Sequence, residues 1–89
     1  MREPRKSISA AVGLALRAHR DSTGKTRAQF VAGSEWGSET LAAVETGRRL
    51  PTFERLVELV GDCRAADILT AASDASGHRV STIRAVMSI

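Results

Sequence analysis

Only one cysteine, Cys63, occurs in the chain, which excludes an intramolecular disulfide and any cysteine-based zinc site. Neither histidine, His19 or His78, has a second ligand at metal-binding spacing, so no metal or other cofactor is expected. There is no paired-carboxylate site, no nucleophile–base pair and no phosphate-cradling glycine loop. With 89 residues the core is also too small to enclose a substrate pocket, and no enzyme is expected. No apolar run is long enough to span a membrane, and the charged start, Met1 to Lys6, does not resemble a signal peptide. The expectation is a cytoplasmic protein with no membrane partner. Internal repeats, low-complexity tracts and heptads are absent as well. What remains is one small domain, marginally stable alone and able to gain from dimerisation.

The charge is modest in sum and uneven in place. The formal net charge is +3, but residues 1–27 balance at +5, residues 28–60 at −2, and residues 61–89 at zero. A basic N-terminal third suits a polyanionic partner, and a solvated helix face would look the same by charge alone.

The chain divides into helical segments separated by glycine or short polar stretches. Residues 1–6 read as a disordered basic arm. Ser7 is placed to cap a first helix, about 8–21, in which Ile8, Val12, Ala15, Leu16 and His19 form one apolar stripe. His19, at the end of that stripe, reads as a packed or half-buried side chain. Thr26 and Gln29 have the spacing of a capping box and open a second helix, about 27–32. Gly33, Ser34 and Glu35 break it, and a third helix of about residues 38–46 stops at Gly47. Two short helices joined by a tight turn make a helix-turn-helix. Each is too short to stand alone and needs helices packed around it. Thr52 caps a fourth helix, whose Phe53, Leu56, Val57 and Val60 keep the i, i+3, i+4, i+7 rule up to Gly61. A fifth helix is expected over about 65–72, and residues 73–77 (SDASG) read as a linker. The tail after it is apolar and suits a helix or a strand. The fold expected is an all-α compact bundle of about five short helices. The domain spans residues 7–73, and residues 74–89 form a linker and an apolar tail. Trp36 reads as a core residue packing the turn against the fourth or fifth helix, with a partner surface as the alternative; Cys63 reads as a small buried or boundary residue.

The run Glu45-Thr46-Gly47-Arg48-Arg49-Leu50-Pro51, followed by Thr52-Phe53-Glu54-Arg55-Leu56, resembles the phage-repressor-like helix-turn-helix family, the XRE or Cro/CI type. Leu16-Arg17 with Arg20, then Thr26, Phe30, Val31, Leu41 and Val44 fall at matching positions, so the likeness covers about residues 12–60. Two departures stand out: Glu35 occupies a turn position that is most often glycine in the family, and Arg27 replaces a frequent glutamine.

The resemblance implies double-stranded DNA as partner, with the third helix entering the major groove. By position Ser38, Glu39 and Ala43 are the candidate base readers, with Thr40 near a phosphate or base edge. No Arg, Asn or Gln lies in that helix, so bidentate purine readout from it is missing and DNA shape is expected to contribute. Lys25, Arg27, Arg48 and Arg49 are the candidate phosphate contacts. The resemblance further implies a structural salt bridge between Arg20 and Glu45. The function implied is a sequence-specific, repressor-like transcriptional regulator. The apolar tail must bury itself, by folding back on its own domain or, as favoured here, by pairing with a second copy through Val80, Ile83, Val86, Met87 and Ile89, so a homodimer on a two-fold-related site is expected. The alternative is a protein-interaction module or antitoxin on the same fold, in which the tail and Trp36 contact a protein partner.

Overall fold

The computed structural model describes residues 6–88, and these form six helices in order: α1 (Ile8–Thr23), α2 (Arg27–Val31), α3 (Ser38–Glu45), α4 (Phe53–Val60), α5 (Asp62–Ser76) and α6 (Val80–Met87). No strand occurs among the described residues. The basic arm expected over residues 1–6 lies outside them except for Lys6, and so does Ile89.

Local chemistry sets most of the helix ends. The Ser7 hydroxyl accepts the Ala10 N–H at 3.2 Å and the Thr52 hydroxyl accepts the Arg55 N–H at 3.2 Å, each satisfying a donor that a helix start leaves free. Gly24 ends α1 in the left-handed conformation, φ 72°, returning its N–H to the Asp21 carbonyl. α5 is the central packing element. Its Ala65, Ile68, Leu69 and Ala72 follow the i, i+3, i+4, i+7 rule, are buried, and meet α1 on one side and α4 and α6 on others.

Three expectations are corrected here. First, residues 73–76 are not a linker but the last turn of α5. The Ser73 hydroxyl donates to the His78 carbonyl at 2.6 Å, and the Ser76 hydroxyl accepts the His78 N–H at 3.2 Å. These small polar side chains therefore bind the α5–α6 corner together. Second, the tail, open between helix and strand, is a helix, and it folds back on its own domain instead of pairing through Ile83 and Met87 as favoured. Ile83 and Met87, four residues apart on one face, are 0% and 2% exposed, so they are not surface contacts for a second copy. The Arg84 guanidinium also lies 4.4 Å from the centre of the Phe53 ring, tying α6 to α4. This packing outweighs the β-branched preference of the segment. Val80 and Val86 stay exposed. Third, Cys63 is exposed in the first turn of α5. Trp36 is buried, and its indole N–H donates to the Arg55 carbonyl at 3.1 Å, which fixes the turn against α4 and removes Trp36 from any partner surface.

Gly13 sets how closely α1 approaches α3. A Cβ there would fall on the Val44 carbonyl oxygen and within 3.1 Å of the Glu45 carbonyl group. Gly→Ala inside a free helix gains about 1 kcal/mol. At this position Gly13→Ala is expected to cost about 1–3 kcal/mol instead, because backbone must move. Thermal melting should show a midpoint lowered by at least about 5 °C; an unchanged or higher midpoint would contradict so close an approach.

Candidate nucleic-acid interface

The helix pair α2–α3 is held at its start by the capping box. The Thr26 N–H donates to Gln29 Oε1 at 3.0 Å and the Gln29 N–H to Thr26 Oγ1 at 3.2 Å. Between the two helices Gly33 alone takes a positive φ, 80°, so Glu35 stands in the turn without backbone strain. The Ser34 hydroxyl donates to the Val31 carbonyl and accepts the Trp36 N–H, closing the turn over the buried indole. Gly37 starts α3 with no side-chain cap. The helix buries Leu41, Val44 and Glu45 and leaves Ser38 and Glu39 exposed, with Ala42 and Ala43 half-buried.

Glu45 is the charged member of that buried side. Its side chain is 1% exposed and accepts Arg20 Nε at 2.7 Å, an Arg20 terminal N–H at 3.1 Å, and Arg27 Nε at 2.9 Å. Arg20 also donates to the Lys25 carbonyl at 3.0 Å. One carboxylate thus joins α1, α2, α3 and the loop between the first two. Burial pushes the Glu45 carboxyl up, but the hydrogen bonds and charges of Arg20 and Arg27 outweigh it and hold it below the ordinary glutamate value. The same hydrogen bond raises Arg20, which stays charged throughout.

Two open depressions run along the outer side of α3. The larger, about 650 Å³, is lined by Arg17, Arg20, Thr26, Arg27 and Ala28 together with Ser38, Glu39 and Ala42. The second continues along Glu39, Ala42, Ala43 and Thr46 to Arg48. Of the residues read from the sequence, Ser38, Glu39, Ala43, Arg27 and Arg48 therefore share this face. Thr40 and Arg49 do not: they line a smaller cleft with Trp36, Leu50 and Pro51 on the α4 side. Arg27 serves two masters, since its Nε is bound to Glu45 while its side chain remains 39% exposed at the groove. Lys25 is exposed in the loop before α2. Behind Gly47, φ 79°, the N–H groups of Arg48 and Arg49 both reach the Ala43 carbonyl, at 2.9 and 3.3 Å, which fixes where the two arginines leave the helix. The sequence reading did not single out Arg17 as a contact or Ala42 as a reader. The available signals were spacing: Arg17 precedes Arg20 by one helical turn, and Ala42 follows Glu39 by one.

A family model described as a helix-turn-helix domain matches residues 11–73. Among solved structures, the chain is similar to that of the clp gene regulator ClgR from C. glutamicum, with 28% sequence identity and a TM-score of 0.70. The match covers 84% of this chain and 99% of that one. No curated protein matches the chain.

Removing the carboxylate would leave Arg20, whose side chain is 12% exposed, with only the exposed Asp21 carboxylate at 3.7 Å as counter-charge. Glu45→Ala is therefore expected to lose about 3–5 kcal/mol of stability in urea unfolding near neutral pH. Because the folded-state pKa of Glu45 is lowered, its contribution is full above the ordinary glutamate value and is lost as pH falls through the folded value. Glu45→Gln should flatten that part of the acid limb. Equal stability of wild type and Glu45→Ala, or identical acid limbs for wild type and Glu45→Gln, would contradict the clamp.

Proposed function

The chain belongs to the helix-turn-helix domain family, and from that premise we propose that it is a sequence-specific DNA-binding regulator of transcription, repressor-like, with α3 entering the major groove. The observation that carries this reading is the outer face of α3: small and open, held rigidly by the Glu45 clamp, and bordered by Arg17, Arg27 and Arg48 from three different segments. Cations so distributed suit a phosphate backbone on both sides of a groove-reading helix. The likeness to a chain described as a gene regulator supports the transcriptional role.

The working unit is a homodimer on a two-fold-related site. One α3 offers only a few short side chains to base edges, too few to single out a site among very many competitors. Two copies on half-sites about 34 Å apart double that readout. Val80 and Val86 are the apolar α6 residues still open to a second copy. Residues 7–88 act as one DNA-binding unit in this reading.

Selection from a random-sequence DNA library with the full chain, at near-physiological salt, is expected to enrich a two-fold motif. A single short half-site would overturn the dimer, and no enrichment would overturn sequence-specific binding. On the enriched site, Arg48→Ala should weaken binding about evenly across sequences and reduce the slope of log affinity against log salt by about 1. An unchanged slope would take Arg48 off the phosphates.

A further inference from the structure

We propose that α3 is a pyrimidine reader: Glu39 accepts the exocyclic amino group of a cytosine, and the Ala42 and Ala43 methyls pack against the 5-methyl groups of neighbouring thymines. This rests on the major-groove reading above and names the chemistry it selects.

Glu39 lines both open depressions, Ala42 also lines both, and Ala43 lines the second. Ala42 and Ala43 follow Glu39 by three and four residues, so they stand beside it on the same face. That offset advances about 4.5–6 Å along the helix, one to two base steps of 3.4 Å. Glu39 has no salt-bridge partner among the described residues, so its acceptor oxygens are not already engaged by a cation. A carboxylate can only accept. In the major groove the cytosine N4 amino group donates, whereas guanine offers acceptors at N7 and O6 that repel it. Adenine N6 also donates, but its neighbouring N7 acceptor faces the second carboxylate oxygen unfavourably. An alanine methyl has no hydrogen-bonding capacity and gains only from apolar surface, which in this groove means the pyrimidine 5-methyl. Thr46 at the far end of the face does not add a free donor, because its hydroxyl is already bonded to the Ala42 and Ala43 carbonyls at 2.8 and 3.2 Å. Thymine and 5-methylcytosine present the same methyl group. A cytosine methylated at C5 therefore offers the alanine positions the same methyl group as thymine.

The test keeps the protein intact and changes the DNA. In the site enriched by selection, each thymine is replaced in turn by uracil, which removes one methyl and nothing else. Loss of affinity of about fourfold is expected at one or two adjacent half-site positions, the equivalent of about 0.8 kcal/mol per methyl-sized group. At the same positions a 5-methylcytosine–guanine pair should bind about fourfold more tightly than an unmethylated cytosine–guanine pair, a comparison that differs by the methyl alone. Selection is then repeated with Glu39→Gln, an exposed position that leaves the fold intact. Glutamine carries both donor and acceptor, so the preferred base at one position should change from cytosine to adenine while the methyl-sensitive positions stay put. An enriched site that is indifferent to uracil at every thymine, with the same motif for Glu39→Gln, would overturn the pyrimidine reader and leave sequence-specific DNA binding standing. Absence of any enriched motif with the wild-type chain would overturn both.

Discussion

A buried carboxylate shared by two arginines is the constraint on which this domain depends. Glu45 closes α3, Arg20 closes α1, and Arg27 opens α2, so three helix ends converge on two oxygens. Such a group is costly to bury and strongly directional once buried. An apolar residue at this position could hold the helices together equally well, yet it would not dictate their relative angle, because dispersion contacts tolerate sliding. The forked guanidinium of Arg20 reaches both oxygens of Glu45 and the Lys25 carbonyl at once, and that geometry admits little play. Position, more than stability, is what the clamp supplies, and position is what the groove-reading role proposed for α3 needs.

The scaffold behind the clamp works by close approach. Gly13 lets α1 lie against the backbone of α3, and on α5 the small side chains of Ala65 and Ala72 are fully buried. With only Phe30, Trp36 and Phe53 as aromatic residues, the core relies on many small contacts instead of a few large rings. Trp36 is the exception. Its indole plugs the turn between α2 and α3 and is pinned to α4 by a hydrogen bond, so the least regular part of the helix pair is also firmly anchored.

The helix pair was legible because several local signals agreed there: a capping box, a glycine stop and an apolar stripe; the Arg20–Glu45 pairing was legible only through the family resemblance. Elsewhere the signals were local and the outcome was not. Residues 73–77 look like a linker by composition, and only their hydrogen bonds to His78 reveal a helix end. The tail has no local reason to choose helix over strand; the choice is made by the place that Ile83 and Met87 find in the core. Gly13 gave no sign because a glycine inside a helix shows its purpose only when the neighbouring backbone is known. The division of the candidate contacts, with Arg48 beside α3 and Arg49 turned toward Trp36 and Pro51, likewise follows from the path of the chain after Gly47.

An acidic residue at the centre of a cationic face would seem to oppose DNA binding, and in the unspecific mode it does. Glu39 lowers attraction to every phosphate backbone alike, whatever the sequence. At a site that offers its carboxylate a donor, part of that cost is returned; at other sites it is not. The quantity that governs a regulator is the ratio of these two affinities, not either one. If Glu39 reads a base as proposed, its place among Arg17, Arg27 and Arg48 weakens binding in general while widening the gap between right and wrong sites. On the proposed reading, an α3 face of serine, glutamate and alanine gains little from attraction, so rejection of the wrong base is the more effective use of its one exposed charge.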